Sequence, residues 1–137
     1  MPIANPLTHT DAVVAAVDAA VSVPVGDGEA PATLPHVVVY AVDGGSVSGP
    51  LGAPDDDVDM PFRVICVADG DLARKAVQWL QHATRSALLD QTVTVAGRSL
   101  IRVTLEVPGG VRRDDDLGEK IGQRFYTSDL FHLSTVP

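Results

Sequence analysis

Cysteine is nearly missing from this chain of 137 residues: Cys66 is the only one. One thiol excludes an intrachain disulfide framework and a thiolate zinc cluster, and the apolar run around it predicts a buried, inert side chain. Positive charge is scarce too, with 10 Lys and Arg against 18 Asp and Glu and a formal net charge of -8. A protein that grips nucleic-acid phosphates needs the opposite balance, so tight binding of DNA or RNA is not expected unless a neighbouring subunit supplies the positive charge. The start, MPIANPLTHTD, has neither the positive opening nor the apolar core of a secretory signal, and no run reaches the length of a membrane span. These absences predict folding in a cytoplasm and no membrane partner.

Catalytic and cofactor motifs are missing as well. The run Asp55, Asp56, Asp57, Asp59 resembles the start of a calcium loop, but Met60 stands where glycine is required and Cys66 where the bidentate glutamate belongs. Gly26 and Gly28 begin a dinucleotide-like pattern that fails at Pro31, with no strand leading in and no helix following. There is no GxxxxGK[ST], and no serine occupies G-x-S-x-G. The four histidines, at 9, 36, 82 and 132, lack metal-site spacing, and the carboxylates lie in loops where water keeps them ordinary acids. The expectation is no catalytic residue, no cofactor and no metal, which leaves a small metal-binding or hydrolytic enzyme as the least supported class.

What is present reads as one α+β domain: a mostly antiparallel sheet with helices packed on it, in the order α-β-β-α-β-β-β. A first helix opens near Thr8 or Thr10, with Thr8 and Asp11 at capping-box spacing and Val13, Val17, Ala20 and Val21 on one face. Residues 22–35, SVPVGDGEAPATLP, form a Pro/Gly linker without regular structure. Strands are expected at HVVVYAV (36–42) and FRVICVA (62–68). Between them residues 43–61 form a long exposed loop, too rich in Gly, Pro and Asp for an element.

The clearest periodicity predicts a helix over 71–89, capped by Asp69 or Asp71, with Leu72, Ala76, Trp79, Leu80, Ala83 and Ala87 inward. Arg74, Lys75, Gln78, His82 and Arg85 make the opposite, basic face. Residues 92–107, TVTVAGRSLIRVTLEV, alternate as a hairpin with Val93, Val95, Ile101, Val103, Leu105 and Val107 in the core. A last strand follows in RFYTSDLFHLSTV.

One stretch stands apart. In VPGGVRRDDDLGEK (107–120) a Pro-Gly-Gly turn signal precedes Arg112, Arg113, Asp114, Asp115 and Asp116. Exposed pairs of such charges contribute about 1 kcal/mol or less each, so stability is not their purpose. Two charged loops, 43–61 and 108–122, suit a subunit that meets its neighbours by electrostatic complementarity. The interface candidates are therefore Arg112, Arg113, Asp114, Asp115 and Asp116, the acidic Asp55, Asp56 and Asp57, and the helix cations Arg74, Lys75 and Arg85.

Taken together, HVVVYAVDGG with SGPLGAPDDDVDMPFRVICVA, DLARKAVQWLQHATRSALL, VPGGVRRDDD and RFYTSDLFHLSTVP resemble the tail terminator proteins (tail completion or minor tail proteins) of long-tailed phages of actinobacterial hosts. The resemblance spans residues 35–137. It implies a non-enzymatic virion component, synthesised in the host cytoplasm, that forms a homohexameric ring at the head-proximal end of the tail. Such a ring caps the tail tube protein, stops tube polymerisation and offers a docking surface to the head-tail connector or stopper protein. Genomic DNA passes through without specific binding, and the acidity of six copies suits a conduit that repels phosphates. A head-closure or adaptor ring of the neck is the alternative within assembly.

Overall fold

The computed structural model describes residues 6–41, 46–48, 57–90, 93–113 and 124–136. Its elements are α1 (Pro6–Ala20), β1 (Val25–Asp27), β2 (His36–Ala41), β3 (Ser46–Ser48), β4 (Asp57–Asp69), α2 (Ala73–Leu89), β5 (Ser99–Val107), β6 (Arg112–Arg113) and β7 (Arg124–Val136). This is the expected α+β class. The strands make one seven-stranded sheet in which only β1 and β2 run parallel.

The two 13-residue strands, β4 and β7, form the spine of the sheet. They pair without a break from Val58↔Thr135 to Asp69↔Arg124, a ladder about 37 Å long at 3.4 Å per residue. Each is flanked on its outer side by two successive shorter strands. Along β4 lie β2, opposite residues 62–67, and then β3, opposite 57–59. Along β7 lie β5, opposite 130–136, and then β6, opposite 125–126. The region expected as a free loop at 43–61 thus contains strand β3 and the first residues of β4.

Both helices cover one face of this spine. Inward residues of β4 (Met60, Phe62, Val64, Cys66) and of β7 (Phe131, Leu133) are buried together with Val13 and Val17 of α1 and Leu80 and Leu88 of α2. Phe62 and Phe131, paired across the ladder, stack with ring centroids 5.4 Å apart and planes 9° from parallel. The hydrophobic face predicted for α1 is correct, but the helix begins at Pro6, so Thr10 is not an entry cap. It is buried within α1, its hydroxyl directed at the Met60 sulfur 3.9 Å away. Next to it His9 contacts the Thr135 hydroxyl at 2.8 Å, fastening α1 to the end of β7.

Four expectations need correction. Residues 22–35 are not wholly irregular, because Val25–Asp27 adds a parallel edge strand to β2. Neither Asp69 nor Asp71 caps α2: the cap is Leu72, in a left-handed conformation (φ 65) and without a side-chain cap bond. The buried face of α2 is Ala73, Val77, Leu80, Gln81, Thr84 and Leu88. That is the predicted stripe moved by one residue, or 100° around the helix, and it leaves Leu72 and Trp79 exposed at 71% and 56%.

The hairpin over 92–107 does not form either. Val93 and Val95 are buried but lie outside any strand, and β5 pairs with β7 instead. Shifts in register between Leu100 and Arg102 and between Leu105 and Val107 break the alternation. Val103 therefore stays inside while Ile101 and Val107 are each 51% exposed. A bulged outer strand also resists pairing with stray chains.

Cys66 is 1% exposed, and burial pushes its thiol up from 9.0 to about 11, against a smaller opposing effect of the neighbouring Thr127 and Thr84 hydroxyls. A raised folded-state pKa stabilises the fold fully below the unfolded value and loses that contribution as pH rises between 9 and 11. In urea melts across that range, wild type should lose stability more steeply than Cys66→Ala. Equal slopes would show that the thiol does not ionise on unfolding.

Candidate interface around the Pro-Gly-Gly bulge

The Pro-Gly-Gly signal does not reverse the chain. β5 ends with Val107 opposite Leu130 and β6 resumes with Arg112 opposite Tyr126, so residues 108–111 carry the same outer strand onward along β7. One more residue lies on this side than on β7, which makes the segment a bulge. It bows over Ser128 and Asp129.

The Asp129 carboxylate, 2% exposed, holds the bulge in place. Its Oδ1 accepts from the Gly109 amide at 2.8 Å, from Arg85 Nη2 at 2.8 Å and from Gln81 Nε2 at 3.2 Å, while Oδ2 accepts from Arg85 Nε at 2.8 Å. Gln81 also donates to the Gly109 carbonyl at 2.7 Å. A forked guanidinium on a buried carboxylate is a strong, directional contact. The hydrogen bonds to Asp129 raise the Arg85 pKa, against a smaller opposing effect of partial burial. This cluster also turns α2: Gln81 and Arg85 both reach Asp129, which brings polar residues of the helix onto the sheet and leaves Trp79 outside.

Gly109 approaches β7 so closely that a Cβ on it would lie 2.0 Å from the Ser128 carbonyl oxygen, whereas a Cβ on Gly110 would meet nothing within 4 Å. The two glycines that read alike in the sequence are therefore unlike in the fold.

On the helix-free face, Arg63, Val107, Pro108, Gly109, Gly110, Arg112, Tyr126 and Ser128 line a half-open depression of about 310 Å³. Arg63 reaches from β4 toward Ser128, its Nη1 lying 3.4 Å from the hydroxyl. Farther along the same sheet face, His132 contacts Asp59 through Nδ1 at 2.9 Å and Glu106 through Nε2. Both ring nitrogens are engaged by carboxylates, and Ser134 donates to Asp59 (3.5 Å), not to the imidazole. Among the described side chains no serine is thus placed against this histidine as a nucleophile against its base. Among the described residues no group of three His, Cys, Asp or Glu is arranged to hold a metal ion, and no helix there is long and apolar enough to cross a membrane.

The sequence candidates are dispersed. Arg112 and Arg113 are exposed on β6, Arg112 beside the depression. Arg74 and Lys75 are exposed on α2, but Arg85 turns inward to Asp129 and does not share their face. Asp57 opens β4, with its side chain outside the described residues, where Asp55, Asp56, Asp114, Asp115 and Asp116 also lie. Arg63, Tyr126 and Asp129 were not candidates. Asp129 carried a signal, being a lone acid at an inward position of an apolar strand.

No protein-family model and no curated protein matches the chain. Solved structures share its fold, and two of them illustrate the likeness. One is a chain of the virion of a native gene transfer agent particle, with a TM-score of 0.61 and 16% identity over 93% of this chain and 94% of that one. The second has a TM-score of 0.54 and 15% identity over 93% of this chain and 97% of that one.

Proposed function

We propose that this protein is a structural virion component acting as a tail terminator: copies assemble into a ring that caps the tail tube and receives the head connector. The observation that carries this reading is the arrangement of its two acidic connections. β3 and β4 form an antiparallel pair joined through residues 49–56, at the Thr135 end of the β4–β7 ladder. β6 and β7 form another, joined through residues 114–123, at the Arg124 end. In the sequence Asp55 and Asp56 immediately precede β4, which opens at one end of a ladder about 37 Å long, and Asp114, Asp115 and Asp116 immediately follow β6, which lies at the other. One small domain with charged connections at both ends suits a piece set between two different neighbours. The likeness to a chain of a gene transfer agent virion supports the same class of role.

The test is to mix the purified protein with polymerising tube subunits and measure tube lengths by electron microscopy. Shorter, uniformly capped tubes are expected. Unchanged lengths together with binding to the portal side would replace the terminator with a head-closure ring, the neighbouring role that the same geometry serves.

A further inference from the structure

The depression beside the 108–111 bulge holds two cations, Arg63 and Arg112, with the Tyr126 ring and the Ser128 hydroxyl between them. Among the described residues no carboxylate pairs with either guanidinium, and the nearest polar contact of Arg63 is the long one to Ser128. In a chain with 18 acidic and 10 basic residues, two unpaired arginines beside one concavity form a receptor for carboxylates.

The Asp55–Asp56–Asp57 run of the same molecule cannot reach it. Asp57 and Arg63 lie on one strand, six residues or about 20 Å apart. Arg112 is farther: it pairs with Tyr126, which pairs with Val67, ten residues or about 33 Å from Asp57 along β4. The one or two residues that carry Asp56 and Asp55 back from Asp57 span at most about 7 Å. An acidic run at one end of the sheet and a basic depression farther along it are instead the two halves of a contact between different molecules.

We propose that this depression receives the Asp55–Asp56–Asp57 run of a neighbouring copy of the chain. The proposal rests on the assembly role above and specifies its contact between copies. Donor and receptor are different surfaces, so the contact is heterologous and each molecule offers one of each. Repetition then closes a ring or runs on as a filament. Because the charges are exposed, added salt should weaken the assembly.

The test uses full-length chains followed by native mass spectrometry at low and high salt. Wild type is expected to form species larger than a monomer at low salt. Arg63→Glu with Arg112→Glu removes the receptor, and Asp55→Lys with Asp56→Lys removes the donor. Each variant alone should remain monomeric while keeping the wild-type circular dichroism and melting temperature. Mixed in equal amounts, the two should form a heterodimer that grows no further, because one intact donor meets one intact receptor and the other two halves are spent.

A wild type that stays monomeric throughout, either variant assembling as wild type does, or a mixture without heterodimer would overturn the proposal. If the donor variant still assembles, the depression is filled by Asp114, Asp115 and Asp116 or by another partner. The assembly role is judged separately, by tube capping: capping by a receptor variant that assembles normally would sink this contact and leave the terminator role standing. Wild-type tubes of unchanged length would remove that role itself.

Discussion

Asp129→Ala is expected to lower the unfolding free energy by about 3 kcal/mol, at the low end of what removing one partner from a buried ion pair costs. The carboxylate is 2% exposed and satisfies the Arg85 fork, the Gln81 amide and the Gly109 N–H. Its removal strands all three donors at once. Arg85, with 30% of its side chain exposed, recovers part of its hydration, which keeps the loss from the top of the range. In urea denaturation the midpoint should fall with the slope unchanged. A loss below about 1 kcal/mol would mean that water replaces the carboxylate and that the cluster does not hold the bulge. Asp129→Asn should cost less than Asp129→Ala, since it keeps one acceptor while turning an amide toward Arg85.

Gly109→Ala is expected to cost about 2 to 3 kcal/mol, and Gly110→Ala almost nothing. The added methyl at 109 would stand 2.0 Å from the Ser128 carbonyl oxygen, and the obstacle is backbone of the central strand β7, which cannot swing aside as a side chain could. Relief requires lifting the bulge off β7, which stretches the Gly109 bonds to Asp129 and Gln81. At 110 the same methyl enters open space, so the reduced freedom of the unfolded chain offsets any small cost. Thermal melts of the pair read the contrast directly. Equal melting temperatures would show that the bulge is not seated against Ser128. The lining of the Arg63–Arg112 depression includes Gly109 itself, so Gly109→Ala should also weaken assembly in proportion to the displacement.

The errors in the sequence-based expectations share a physical origin. The stripe Leu72, Ala76, Trp79, Leu80 has correct helical spacing, yet the helix lies 100° away from it, with Ala73, Val77, Gln81, Thr84 and Leu88 inside. Periodicity fixes the spacing of a face but not which of two adjacent stripes meets the sheet. Here the choice goes with Asp129, 48 residues from Gln81 in sequence, which draws in Gln81 and Arg85. The hairpin over 92–107 failed similarly: Val93, Val95 and Val103 are buried as their pattern demands, but the partner of β5 is the distant β7. Pro108, Gly109 and Gly110 carry the composition of a turn and make a bulge, since the outer strand had ladder left to follow on β7.

By itself the sequence determined the α+β class, the β-branched strands expected at 36–42 and 62–68, the long closing strand, the inward face of α1 and the buried setting of Cys66. All of these follow from local alternation, helical period and hydrophobicity, which act over a few residues. Only the tertiary structure decided the orientation of α2, the course of the 108–111 segment, the union of Arg63 with Arg112 in one depression, and the placement of the start of β4 and of β6 at opposite ends of the ladder. Those features depend on which strands pair and in what register, and pairing is settled by contacts between residues far apart in the chain, which no local pattern encodes.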